Sequence, residues 1–112
     1  MNRLTTHILD ISSGKPATGV NVILLHQQGD SWVEITRGST NKDGRITDWL
    51  DDSTILPTGL VKLVFDTGAY FNKSTIPTFY PVVEVIVAIA DEAHYHIPLL
   101  LSPYGYSTYR GS

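Results

Sequence analysis

Two histidines one residue apart, His94 and His96, open a stretch that carries no formal charge between Glu92 and Arg110. Far upstream lie a third histidine, His7, and an arginine, Arg45, that directly follows an Asp-Gly pair. An imidazole titrates near neutral pH, so it can act there as base or acid. A guanidinium keeps its charge and offers a planar fork of donors, suited to negative charge growing on an oxygen. Brought together, these groups could move protons and hold an oxyanion. Three nitrogens from His7, His94 and His96 would also make the set that a catalytic zinc accepts. Against the metal, no carboxylate is placed by spacing to orient the rings. Each residue also has a plainer reading. His94, beside the Asp91-Glu92 turn, reads as a half-buried hydrogen-bonder and His26 as a surface strand residue. Arg45 alone reads as a solvated charge, and Tyr109 as an interface or sheet aromatic. No Gly-rich phosphate loop, nucleophile elbow or HExxH arrangement joins them.

The elements that must position these groups are short and extended. The chain has 112 residues, the size of one domain over 1–112, and 42% of them are hydrophobic, enough for a folded core. Nine glycines and six prolines point to many turns. The net charge of -3 is scattered, without the basic patch of a nucleic-acid binder. With no cysteine, neither a disulfide framework nor a thiolate metal site is available. No apolar run approaches the roughly 18 residues of a membrane span, and no signal-like segment opens the chain. These features argue against nucleic-acid and membrane partners. They favour the cytoplasm, although a removed leader would leave no trace.

Alternation predicts a strand over Leu4–Asp10, with Thr5, His7 and Leu9 on one face and Leu4, Thr6 and Ile8 on the other. Ser12 to Pro16 reads as a loop by composition. Val20–Gln27 and Trp32–Ser39 form a hairpin, the second strand alternating without interruption. Asp43-Gly44 turns the chain, so that Arg45 and Ile46 begin a very short strand. A polar loop over Asp48–Gly59 leads to a strand over Leu60–Asp66. Thr67–Ser74 is the one plausible helix, capped weakly by Thr67 and disfavoured by Gly68. Val82–Ala90 is the most apolar strand. The final pair turns at Pro103 and Gly105. It sets His94, His96, Pro98 and Leu100 opposite Tyr95, Ile97, Leu99 and Leu101, and Ser107 and Tyr109 could return beside it. Seven or eight short strands with one small helix describe an all-β antiparallel sandwich. Both faces of the final pair are largely apolar. One face must fill the core, and the other must lie against a second subunit or line a cleft.

Three segments, LTTHILDISSGKPA (4–17), NKDGR (41–45) and HYHIPLLLSPYGYSTYRGS (94–112), together resemble the 5-hydroxyisourate hydrolases, the transthyretin-related enzymes of purine degradation. The terminal Tyr-Arg-Gly-Ser is the tetrapeptide that marks those enzymes. Transthyretin, the hormone carrier, shares the LLSPY-type run but lacks the tetrapeptide and both site histidines. The resemblance implies a transthyretin-like (prealbumin-like) sandwich of two four-stranded sheets with one short helix. It also implies a homotetramer, a dimer of dimers, with sites at the mouths of a central channel. Carried onto this sequence, the catalytic residues are His7, Arg45, His96 and Ser112, and Tyr109, Arg110 and Gly111 join them in binding substrate. The implied reaction is hydrolysis of 5-hydroxyisourate to 2-oxo-4-hydroxy-4-carboxy-5-ureidoimidazoline in urate degradation, without a cofactor or metal. His7 and His96 would be the proton-transfer pair, with His96 favoured for holding the attacking water. Family members are also found in the periplasm or peroxisomes. The rival readings are a transthyretin-like carrier of aromatic ligands and a zinc hydrolase using His7, His94 and His96.

Overall fold

The structure, a computed structural model, describes residues 3–51 and 53–112; Asp52, within the loop expected over 48–59, lies outside the described residues. In chain order the elements are β1 (Leu4–Asp10), β2 (Lys15–Pro16), β3 (Asn21–Gln28), β4 (Ser31–Ser39), β5 (Arg45–Ile46) and β6 (Gly59–Phe65). Then follow helix α1 (Thr67–Asn72), β7 (Val83–Ile89), β8 (Tyr95–Ser102) and β9 (Gly105–Thr108). One sheet has the order β4-β3-β6-β7 and the other the order β2-β1-β8-β9, with β5 pairing β1 in addition. This is the all-β, transthyretin-like sandwich with one short helix that the sequence implied. Among the described residues, no helix is long and apolar enough to cross a membrane.

Alternation explains most of the packing. Leu4, Thr6 and Ile8 of β1 are fully buried, as are Val22 and Leu24 of β3 and Val61, Leu63 and Phe65 of β6. From β8, Tyr95, Ile97, Leu99 and Leu101 enter the same core. Side chains of one parity thus fill the space between the sheets, and the other parity faces outward. Some expectations need correction. The sandwich is not wholly antiparallel, since β1 and β8 pair in parallel. Lys15 and Pro16 do not stay a loop; they pair with Asp10 and Leu9 to close a small hairpin on β1. In β4 the alternation breaks, because Leu24 pairs with Thr36 and Leu25 with Glu34, leaving Ile35 as the extra residue of a β-bulge. Ile35 and Thr36 are therefore both half-buried.

The helix starts differently from the sequence expectation. Asp66, not Thr67, is its N-cap, accepting from the Ala69 N–H. Thr67 is fully buried, and its hydroxyl donates instead to the Tyr80 carbonyl at 3.0 Å. Gly68 is present because its backbone meets the following segment: a Cβ there would lie 2.7 Å from the Pro81 carbonyl oxygen. The helix sends Tyr70 to the end of β1, where its hydroxyl donates to Asp10 at 2.8 Å. Burial raises the Asp10 pKa, but donors from Ser12, Tyr70 and the Ser12 and Ser13 backbone outweigh it, leaving the carboxyl below its ordinary value. Burial and the Asp10 charge push the Tyr70 phenol up to about 12.

Tyr70→Phe should therefore destabilise the fold by about 1.5 kcal/mol at neutral pH, the scale of a hydrogen bond to a charged group. Because the folded-state pKa of Asp10 is depressed, that stability is present above the unfolded value and is lost as pH falls through the folded one. The gap between wild type and variant in urea denaturation should narrow below about pH 3.8. A gap that stayed constant into strong acid would contradict the pairing.

Candidate active site

Strand β1 carries the site because it is paired on both edges. On one edge β8 runs parallel to it, with Thr5 opposite His96 and His7 opposite Pro98. On the other edge β5 runs antiparallel, with His7 directly opposite Arg45. Residues opposite each other in a ladder share a face. His7 thus stands between an arginine from one neighbour and, one diagonal step away, a histidine from the other. His7 and His96 are half-buried and Arg45 is exposed.

The turn before β5 is built to deliver Arg45. Asn41 organises it: its carbonyl accepts from Gly44 N–H at 2.9 Å. Its side-chain oxygen accepts from the backbones of Asp43 and Arg45 at 2.9 and 3.0 Å. Gly44 has φ +74°, and a Cβ there would lie 2.5 Å from the Ile8 carbonyl oxygen, so conformation and space both demand glycine. The Gly44 carbonyl accepts from Ile8 N–H at 2.8 Å, docking the turn on β1.

The ladders set the three groups on one face, and the Arg45 charge acts on both imidazoles. Burial lowers the His7 pKa first, and the Arg45 charge lowers it further; the Asp43 carbonyl and carboxylate pull the other way. His96 is lowered by burial, then by Arg45, His7 and His94. Both rings are thereby held neutral at physiological pH, each with a lone pair beside a fixed positive charge. That is the equipment of a general base next to an oxyanion-stabilising donor.

The C-terminal segment completes the cluster in part. Gly111 pairs with His96, donating its N–H to the His96 carbonyl at 2.8 Å. A Cβ on Gly111 would lie 2.6 Å from His96 Cδ2 and 3.2 Å from Pro98 Cγ, so only glycine lets the chain lie against that ring. Ser112 follows it, exposed. Arg110 and Tyr109 are placed elsewhere. The Arg110 guanidinium sits over the Tyr95 ring at 4.5 Å. Both residues line a cavity of about 260 Å³ shared with Val85, Val87 and Ile97. The Tyr95 hydroxyl donates to Asp91 Oδ1 at 2.9 Å, so Arg110, Tyr95 and Asp91 form one anchor for the terminal segment.

Two partners of the imidazoles had not been singled out from sequence. The Asp43 backbone faces His7. Thr5 Oγ1 lies 2.8 Å from His96 Nδ1 and 3.1 Å from His94 Nε2. Its parity with His7 was visible in the sequence, but its partner on β8 was set by a register no local pattern discloses. His94 and His96 thus share Thr5 as a partner. Among the described residues, no three His, Asp or Glu side chains are grouped as metal ligands. His26 sits at the hairpin end of β3, with Nε2 3.0 Å from the Thr58 carbonyl, away from the site.

The chain belongs to the HIUase/Transthyretin family, whose match spans residues 4–111. It is 47% identical over 111 residues to a probable 5-hydroxyisourate hydrolase of Caenorhabditis elegans, covering 97% of this chain and 81% of that one. Among solved structures it is similar to a 5-hydroxyisourate hydrolase of Klebsiella pneumoniae, with a TM-score of 0.84, 39% identity and coverage of 97% and 98%. It is also similar to sea bream transthyretin in complex with thyroxine, with a TM-score of 0.90, 32% identity and coverage of 97% and 94%. The homology supports a hydrolase of purine metabolism.

Replacing Arg45 with Gln should raise the pKa of both imidazoles, because the positive charge that disfavours their protonation is gone. Titration of the His7 and His96 ring protons by NMR reads this directly. Unchanged values for both rings would mean that the guanidinium does not reach them.

Proposed function

We propose that this chain hydrolyses 5-hydroxyisourate to 2-oxo-4-hydroxy-4-carboxy-5-ureidoimidazoline. The observation that carries the reading is the grouping of His7, Arg45 and His96 on one sheet face, with His7 and Arg45 as direct cross-strand partners. Water adds to a ring carbonyl carbon, and the cyclic C–N bond of the six-membered ring then breaks. A neutral imidazole, His96 in our assignment, takes the proton of the attacking water as the C–O bond forms. Arg45 holds the negative charge that develops on the carbonyl oxygen. The proton passes through the His7–His96 pair to the departing ring nitrogen as the C–N bond opens. Positioning and electrostatics supply the acceleration, so no covalent enzyme intermediate and no cofactor is required. We assign the Ser112 hydroxyl and terminal carboxylate to substrate contact beside His96, reached through Gly111. Tyr109 and Arg110, seated beside β7 in the single chain, join a site only where chains meet.

We further propose that the site works in a homotetramer, a dimer of dimers, at the mouths of a channel between facing sheets. Strands β7 and β9 are sheet edges, and unpaired edges invite pairing with a second copy. Ile86 and Tyr106 on those strands are about half exposed, at 53% and 43%. Apolar area removed from water there would contribute roughly 25 cal/mol per Å².

The likeness to transthyretin raises a second reading, a carrier of aromatic ligands. The imidazole and guanidinium cluster disfavours it, since an apolar ligand would desolvate these groups without replacing their hydrogen bonds.

The test generates 5-hydroxyisourate in place with urate oxidase and follows its absorbance decay. Wild type should accelerate the decay, and His96→Asn should slow turnover by about a hundredfold or more at equal tetramer content. Wild-type kinetics from that variant would remove His96 from the chemistry. No acceleration by wild type would remove the hydrolase reading.

A further inference from the structure

The Thr5 hydroxyl carries one proton and touches two imidazoles, and this sets a constraint on both. Thr5 is buried, with 7% of its surface exposed. Its Oγ1 lies 2.8 Å from His96 Nδ1 and 3.1 Å from His94 Nε2. The two rings are nearly parallel, 19° apart with centroids at 6.5 Å, so their edges turn to the same oxygen. Among the described residues this hydroxyl has no other hydrogen-bond partner. If both nitrogens carried protons, the buried hydroxyl proton would have nowhere to go, which costs about 1–3 kcal/mol. If neither did, one proton would have to serve two acceptors. One ring therefore donates to Thr5 and the other accepts from it.

The surroundings of His96 decide which. Nδ1 is committed to Thr5, and the ladders set His7 and then Arg45 on the same sheet face as His96, so Nε2 is the nitrogen free to meet them. A positive charge on that face disfavours an N–H on the nitrogen free to meet it and favours a lone pair there. Nδ1 must then hold the proton and donate it to Thr5 Oγ1, and the Thr5 proton must go to His94 Nε2.

We propose that Thr5 and His94 are positioning residues: His94 accepts the Thr5 proton, Thr5 accepts from His96 Nδ1, and His96 is thereby fixed in the tautomer whose Nε2 lone pair faces substrate. The arrangement is that of a general base with an orienting partner, built here from a hydroxyl and a second imidazole in place of a carboxylate. The proton count is unchanged by this assignment: one proton on the His96 ring, one on the hydroxyl and one on His94 Nδ1. When His96 Nε2 takes a proton from water, its Nδ1–H continues to donate to Thr5, so the ring does not turn as it charges. His94, read from sequence as a half-buried hydrogen-bonder, is exposed in the structure and acquires a defined part.

The catalytic consequence rests on the hydrolase reading above; the tautomer does not, so the two can fail separately. Long-range proton–nitrogen NMR spectra of the histidine rings report the tautomer without any substrate. In wild type at a pH where the rings are neutral, His96 should be protonated on Nδ1 and His94 should present a bare Nε2. Thr5→Val, which keeps the shape and removes the hydroxyl, should shift His96 toward the Nε2–H form. It should also lower kcat about tenfold with KM little changed, since the bound geometry survives. Thr5→Ser should restore both. His94→Phe, at an exposed position, should shift the His96 tautomer in the same direction as Thr5→Val. A His96 tautomer unaltered in both Thr5→Val and His94→Phe would overturn the proposal whatever the activity. So would a shifted tautomer with unchanged kcat, because positioning would then be without effect. A wild-type protein with the stated tautomers but no turnover would uphold the coupling and overturn the hydrolase reading alone.

Discussion

The site depends on β1 being hydrogen-bonded along both edges to strands from distant parts of the chain. Its parallel register with β8 sets Thr5 against His96, and its antiparallel register with β5 sets His7 against Arg45. A slip of one residue in either ladder would turn the partner side chain to the opposite face. The register is held by the core: Leu4, Thr6 and Ile8 are fully buried on the other side of the same strand, and Ile97, Leu99 and Leu101 meet them from β8. Thr6 adds a buried hydrogen bond to the Ile97 carbonyl at 2.7 Å. The packing that stabilises the sandwich thus also aligns the chemistry, since the two faces of β1 cannot be set independently.

The backbone alone does not say what this sandwich does. It superposes as well on a thyroxine-binding transthyretin as on a 5-hydroxyisourate hydrolase, with TM-scores of 0.90 and 0.84. Function resides in the side chains mounted on it. Two half-buried imidazoles beside a guanidinium have their basic, neutral forms favoured by burial and by charge together. Glycine at 111 lets the terminal segment lie flat on one of those rings, where any side chain would collide. A cluster of this kind is costly in an apolar binding channel and useful where water must be deprotonated.

Much of this was legible in the sequence, and the reasons are local. Strand β1 was found to the residue because its alternation is unbroken, and β5 because Asp43-Gly44 dictates where the turn ends. The faces of β8 also followed from parity, with Tyr95, Ile97, Leu99 and Leu101 inward. What escaped depends on partners remote in sequence. Lys15 and Pro16 form a strand only because β1 offers an edge, and the bulge at Ile35 arises from pairing across the hairpin. Asp66 caps the helix because Thr67 is drawn into the core toward Tyr80. The seat of Arg110 over Tyr95 likewise needed the fold, since stacking on a ring of β8 is not written in the tetrapeptide. Thr5 shows the same limit: its face was plain, but its neighbour was not.

The central claim is that neutral imidazoles, their pKa values held down by burial and by Arg45, do the proton transfer. The most direct measurement is the pH dependence of kcat/KM for freshly generated 5-hydroxyisourate, which reports the ionisations of the free enzyme. Since both folded-state values lie below the ordinary 6.5, activity should be lost as pH falls below that figure and should be level from there to neutrality. A profile that climbs through pH 7 or above, or one that is highest in acid, would contradict the account.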